Sequence, residues 1–151
     1  LYIDANHIQL QTQYKDLIKI VPALQRTTYP NIAALGNLKY QGNIYGFLND
    51  FTLNGFLQTS IGNAQTDINI KLKKNTINKY DGNLELHHFQ LGKFLKDDAL
   101  NIIDGNINLT GDGINKNANI NLMMQLKQLD YNGYAYTNIF TNGKLYNKKG
   151  L

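Results

Sequence analysis

The chain has 151 residues, of which 42% are hydrophobic and 17% charged, and it carries a net charge of +4. This length predicts one domain, residues 1–151, with room for a core. The absence of cysteine excludes disulfides, thiolate metal sites and cysteine nucleophiles. No signal peptide or membrane-spanning apolar run is visible. The basic residues are scattered lysines apart from Arg26, so nucleic acid is not an expected partner.

Two helical segments are predicted along the chain. The first covers about residues 13–24, where Tyr14, Leu17, Ile18 and Val21 recur at helical spacing. We expect Thr12 to be its N-cap and Pro22 to end or kink it. The second is a short helix at about residues 91–96, in LGKFLK. We favour the interpretation that both helices plug the open ends of a sheet.

Strict alternation of apolar and polar residues predicts strands in most of the remaining chain. Residues 64–72 show it most clearly, because every second side chain from Ala64 to Leu72 is polar. The pattern recurs in about eight segments, with a phase change near Asn138 that suggests a bulge. Turn pairs such as Asn132-Gly133 connect neighbouring strands closely. The prediction is therefore an all-β, mainly antiparallel fold with one or two short helices.

Catalytic and metal-binding patterns are weak. Ser60 is the one serine and lacks a nucleophile-elbow context. His87 and His88 are adjacent, so on a strand they point to opposite faces and cannot share a metal ion. Residues 104–115 begin like a calcium-binding EF-hand loop, but Leu109 occupies the position that requires glycine. We expect neither an enzyme nor a cofactor or metal site.

Tyrosine supports an alternative function. Tyr131, Tyr134 and Tyr136 lie in one short span, and exposed tyrosines on a sheet can stack on sugar rings. Tyrosine is also a good strand former. The alternative is an extracellular β-sandwich or solenoid binding module, such as an adhesin or carbohydrate-binding domain.

The order of several segments resembles the TamB (translocation and assembly module) family within the AsmA-like superfamily. The resemblance covers about residues 1–149 and is carried by GNLKYQGNIYGFLNDFTLNGFLQTSIGNAQTDINIKL, then YDGNLELHHFQLGKFL, then LKQLDYNGYAYTNIFTNGKLYNKKG. It implies a fragment from the middle of a longer periplasmic protein of a Gram-negative bacterium. That protein is anchored in the inner membrane by a helix that this sequence does not contain.

Membership in this family would imply a long curved sheet that forms a groove, half-barrel or taco-like shape. The implied role is outer-membrane biogenesis, through phospholipid transport between membranes, outer-membrane protein assembly, or protein secretion. Implied partners are phospholipid acyl chains, an outer-membrane β-barrel assembly protein and neighbouring β segments of the same longer chain. The family offers no catalytic residues to carry over.

Alternation and resemblance agree on a trough with apolar lining. An acyl chain gains about 0.8 kcal/mol per buried CH₂ group, so such a trough needs only shape and apolar side chains. The sequence leaves open whether the trough is open or folds over and fills itself. The expected lining residues are Leu38, Ile44, Leu53, Leu57, Ile68, Ile70, Leu72, Leu84, Leu86, Ile107, Leu109, Ile120, Leu122, Met124 and Leu126.

Overall fold

The computed structural model describes residues 1–74, 76–114 and 117–146. These residues form one open antiparallel sheet of eight strands, which pair in the order of the sequence. The all-β prediction is therefore confirmed. The strands are β1 (Tyr2–Gln13), β2 (Asn37–Phe47), β3 (Asp50–Thr59), β4 (Gly62–Lys73), β5 (Thr76–Gln90), β6 (Leu100–Asp112), β7 (Asn119–Tyr131) and β8 (Tyr134–Leu145).

Tight turns explain the meander, because short connections join only antiparallel neighbours. Asn132 and Gly133 have φ values of 49° and 79°, and two such residues in sequence suit the type I′ hairpin between β7 and β8. The pair Asp112-Gly113 predicts a tight turn after β6, but the connection is longer, since β7 begins only at Asn119. Residues 115–116 of that connection lie outside the described residues.

The helices are short and lie in two connections at the same end of the sheet. Helix α1 (Tyr14–Ile20) and two 3-10 helices (Pro22–Arg26 and Ile32–Leu35) connect β1 to β2, and α2 (Leu91–Leu95) connects β5 to β6. The predicted helix over 13–24 is thus divided before Pro22, which opens the first 3-10 helix. The N-cap is Gln13 and makes no side-chain cap bond, so the expectation for Thr12 was wrong.

The buried core lies at the helical end of the sheet. Its members are Ile61, Ala64, Leu86, Phe89, Ile103 and Leu126. Half-buried side chains of the second 3-10 helix and of α2 pack on this cluster. Among the described residues, no large side chain is fully buried, which is the expected result for a single sheet with helices over only part of it.

Candidate functional site

Strand register places the expected lining residues on one face of the sheet. Residues directly opposite each other in an antiparallel pair point to the same side. One row of such partners crosses seven strands. Parallel rows hold the remaining lining residues, and we call this side the apolar face. The row contains Ile44, Leu53, Ile68, Gly82, Leu109, Leu122 and Gly143.

Burial divides the apolar face into two halves. Near the helices, Leu86 and Leu126 are 7% and 4% exposed, and Leu38 is 7% exposed. All the other expected lining residues remain half-buried. We call the part toward the strand ends at Phe47 and Asp112 the open half. Its lining residues are Ile44, Leu53, Ile68, Ile70, Leu72, Leu109, Ile120 and Leu122.

The helical end of the face is covered by what we call the cap, the second 3-10 helix (Ile32–Leu35) together with α2. Ala34 and Leu35 from the first element and Leu91 and Phe94 from the second pack against the core cluster. The Phe94 ring meets the Phe89 ring edge-on, with centroids 5.6 Å apart. The cap therefore fills the apolar face at one end and leaves the open half beyond it.

Two tyrosine side chains on the apolar face cover glycines, which have no side chain of their own to fill the surface. A Cβ atom on Gly111 would lie 2.5 Å from the Tyr80 ring, so the ring rests directly on that glycine. The Tyr40 hydroxyl lies similarly close to Gly42 and Gly55 and donates to the Asn43 carbonyl oxygen at 2.8 Å. This contact gives the glycines at positions 42 and 55 a structural reason.

Burial of these tyrosines changes their ionisation. Removal from water is the first cause that raises the pKa of Tyr40 and of Tyr80 above the ordinary value. The nearby Asp112 carboxylate adds to the effect at Tyr80. Both hydroxyls therefore stay protonated to a higher pH than an exposed tyrosine hydroxyl would.

The opposite face is polar. Asn43, Asn54, Asp67, Asn83 and Asn108 stand opposite one another on successive strands. The Asn83 Nδ2 atom donates to Asn108 Oδ1 at 3.0 Å. A hollow of about 640 Å³ on the sheet is lined partly by polar-face side chains such as Asn108. The asparagines thus occupy the solvated side of a one-sided sheet, as their alternation predicts.

Asn69, on the same polar face, makes several hydrogen bonds to residues of β3. Its Nδ2 atom lies 3.0 Å from Asp50 Oδ1, and this bond is the first cause that lowers the pKa of Asp50. The same atom lies within hydrogen-bond distance of the Phe51 carbonyl and of Thr52 Oγ1. A substitution at Asn69 would therefore disturb its bonds to β3 as well as the polar surface.

Bulges keep apolar residues on one face where strict alternation fails. The register shifts between Leu86 and Phe89 on β5, and His88 between them has a left-handed φ of 49°. Its N–H donates to Asp104 Oδ1 at 2.8 Å. As a result, Leu86 and Phe89 both belong to the core cluster although they are three residues apart.

The same device recurs in β1, where His7 has φ 55° and its N–H donates to Asn43 Oδ1 at 3.0 Å. In β8, Asn138 is left-handed too, with φ 55°. The expectation of a bulge in β8 was wrong, because β8 keeps one register with β7 and the register shift lies between β6 and β7.

Sequence reasoning missed several core residues. Phe89 follows the bulge at His88, and Ile61 lies in the turn before β4, so neither fits a simple alternation. Ile103 continues the odd-numbered series of Ile107 and Leu109, and extending that alternation toward the start of β6 would have found it. Leu24, 4% exposed in the first 3-10 helix, was also missed.

Charged residues surround a separate hollow at the helical end. It has a volume of about 840 Å³ and is lined by residues including Lys93, Asp97, Asp130 and Tyr134. Asp97 Oδ1 accepts the Ala99 N–H at 2.9 Å in the connection from α2 to β6. Within the described part of the chain, no group of three histidine or acidic side chains could hold a metal ion. In the same residues, no helix is long and apolar enough to cross a membrane.

A comparison of the chain with protein-family profiles, curated proteins and solved structures found no match. Family membership is therefore not established by these comparisons. The apolar face, its open half and the cap are the features from which a function has to be argued.

Proposed function

We propose that the chain is a non-enzymatic section of a periplasm-spanning TamB-like or AsmA-like protein whose apolar groove carries phospholipid acyl chains. Such a protein would be anchored in the inner membrane of a Gram-negative bacterium. It would serve outer-membrane biogenesis, by phospholipid transport or by assembly and secretion of outer-membrane proteins. The proposal joins the sequence resemblance to the geometry of the apolar face.

The observation that carries the proposal is the half-exposure of the open half. Ile70 and Leu109 have polar residues on both sides along their strands, and Leu122 follows the polar Asn121, yet all three remain only half-buried on the apolar side. In an ordinary closed core, side chains of this size would be buried. A contiguous apolar surface that remains open marks a binding surface in most soluble proteins. An acyl chain matches it because the surface offers shape and apolar contact.

The partners of the sheet edges follow from the topology. β1 and β8 each have twelve residues and each pairs with one neighbour among the described strands. An unpaired strand edge is a template for another strand. Neighbouring β segments of a longer chain are therefore the proposed occupants of both edges, with an outer-membrane β-barrel assembly protein as a more distant partner.

Native mass spectrometry of the purified chain, with organic extraction of bound material, tests the lipid proposal. We expect phospholipid to co-purify with the chain. Leu122→Asp should reduce the bound fraction at least fivefold, because a carboxylate in a dry groove is costly. Leu122→Asn makes the same test with a neutral side chain of similar size.

The matched control is Asn121→Asp, which puts the same charge on the adjacent residue but on the polar face. It should leave lipid binding unchanged, and thermal unfolding will show that all variants are folded. Asn121 is preferred to Asn69 because of the bonds of Asn69 to Asp50 and its neighbours. A wild-type chain that carries no lipid and ignores added lipid would refute the proposal.

A second candidate function is supported by the exposure of tyrosines on β8. Tyr134 is 71% and Tyr136 50% exposed, at the edge of the sheet. Such rings can stack on sugars in a binding module. The described residues form a single sheet, so a stacked-sheet version of this candidate has no support in the fold. Glycan-array binding that disappears with Tyr134→Ala would favour this candidate over the groove.

A further inference from the structure

The cap is assembled from two connections that are distant in sequence. Asn31 joins them, because its N–H donates to the Phe94 carbonyl oxygen at 2.7 Å and its Nδ2 to the Lys93 carbonyl oxygen at 3.3 Å. The first connection is also fixed to the turn between β3 and β4, where the Ser60 N–H donates to the Leu35 carbonyl oxygen at 2.9 Å. A few bonds at one end of the sheet thus hold the cap.

The apolar rows continue beneath the cap. Leu86 and Leu126, which the cap covers, lie on the same face and on the same strands as Leu84 and Leu122 of the less buried part. Removal of the cap would therefore expose an apolar surface that continues the open half toward the other end of the strands. The apolar surface beneath the cap would therefore lengthen the proposed groove.

The cap is more weakly anchored than the sheet. The second 3-10 helix has four residues, α2 has five, and neither contains a buried residue. Helices of this length are not stable on their own. The interior strands, by contrast, have ten to fifteen residues and pair on both sides. Local opening of the cap should therefore require much less free energy than unfolding of the sheet.

We propose that the cap is a gate that opens by release of Asn31 from α2 and lengthens the lipid groove toward the helical end. The proposal rests on the acyl-chain function proposed above. In the closed state, Ala34, Leu35, Leu91 and Phe94 occupy the place of a ligand on the filled half. In the open state, acyl chains replace these side chains over the same apolar floor.

A reversible disulfide tests the gate, and the absence of cysteine from the chain makes the experiment clean. Asn31→Cys combined with Lys93→Cys links the two parts of the cap when oxidised and releases them when reduced. Native mass spectrometry then counts phospholipids per chain in both states. The oxidised form should bind at least twofold less phospholipid than the reduced form. Each single-cysteine variant under the same oxidation is the control.

Amide hydrogen exchange without lipid gives an independent readout. The N–H groups of Asn31 and Ser60 should exchange at least tenfold faster than ladder amides of β4 and β5. Exchange of all these amides at one rate would mean that the cap opens only when the sheet unfolds, which overturns the gate. Equal lipid binding in both redox states also overturns the gate but leaves the groove intact. A wild-type chain without any lipid overturns both proposals.

Discussion

Gly82 and Gly143 stand in the same row of the apolar face, yet only Gly82 has to be glycine. Gly82 has a φ of 148°, and a Cβ atom there would run into the Asp67 carbonyl oxygen. A Cβ atom on Gly143 would meet nothing within 4 Å. The difference arises because β5 passes close to β4 at Gly82, whereas Gly143 lies on the edge strand β8.

Substitution of these two glycines makes a matched pair. Gly82→Ala should lower the free energy of unfolding by about 1–3 kcal/mol, through backbone strain and contact with β4. Gly143→Ala should change it by less than about 1 kcal/mol, since the new methyl group has space. Urea unfolding of both variants measures the difference. Equal losses of unfolding free energy in the two variants would contradict a close approach of β4 and β5 at Gly82.

Tyr40 gives the sheet a dependence on alkaline pH. Burial raises the pKa of Tyr40 in the folded state above the ordinary value of 10.0. The unfolded chain therefore loses this proton first as pH rises. The contribution to stability is complete below about pH 10 and is lost as pH rises toward the folded-state pKa.

Tyr40→Phe tests this dependence. The free energy of unfolding, measured in urea at pH 8 and pH 10.5, should fall by a larger amount in the wild type than in Tyr40→Phe. At pH 8 the variant itself loses about 1 kcal/mol with its bond to the Asn43 carbonyl oxygen. In Tyr134→Phe, at a position that is 71% exposed, the free energy of unfolding should fall between the two pH values by the same amount as in the wild type. The same fall in all three proteins would argue against a buried Tyr40.

At the scale of elements, the side-chain acceptors Asn43 and Asp104 hold the left-handed bulge residues of β1 and β5. The Asp104 side chain accepts the His88 N–H, and its Oδ2 atom lies 3.4 Å from His88 Nδ1. Asp104→Ala should cost about 1–2 kcal/mol of unfolding free energy and speed the exchange of the His88 amide. Asp104→Asn keeps an acceptor oxygen and should cost less. Normal protection of the His88 amide in Asp104→Ala would contradict this account of the bulge.

Alternation was a sufficient guide to the fold only where strands are regular. Residues 64–72 alternate without a break, and their assignment to a strand agrees with β4. Phe89 could not be placed in the same way, because the left-handed residue His88 changes the phase and its acceptor Asp104 lies on the next strand. The break of the first helix at Pro22 was predictable, because proline interrupts helices. The 3-10 helix that follows it was not predictable from the same signal.

The open and filled halves could not be separated from the sequence. Leu122 and Leu126 have the same residue type and lie four positions apart on one strand, yet Leu126 is buried and Leu122 half-buried. Leu126 belongs to the core cluster on which the cap packs, and that cluster joins segments far apart in the chain. Contacts of this kind leave no periodic signal in the sequence.

At the scale of the whole molecule, the open sheet leaves a large surface. The accessible area is 9782 Å², whereas a compact monomer of 17.1 kDa would expose about 7,800 Å². An open apolar face and two free edges account for such an excess.

The free edges should make the isolated chain associate. Phe140 on β8 is 64% exposed, beside backbone groups without a described neighbouring strand. We expect concentration-dependent oligomers in analytical ultracentrifugation, which Phe140→Lys weakens at least fivefold because charged side chains protect edges. Met123→Lys adds the same charge on the interior strand β7 and should have little effect. A strictly monomeric wild type would contradict a role for the edges in pairing.

Quenching of tryptophan fluorescence by phospholipids with brominated acyl chains tests the central claim most directly. The chain has no tryptophan, so Leu122→Trp and Asn121→Trp each place a single reporter, one on each face. We expect strong quenching of Leu122→Trp and little quenching of Asn121→Trp. Equal quenching on both faces, or none at Leu122→Trp, would show that the open half of the apolar face does not hold acyl chains.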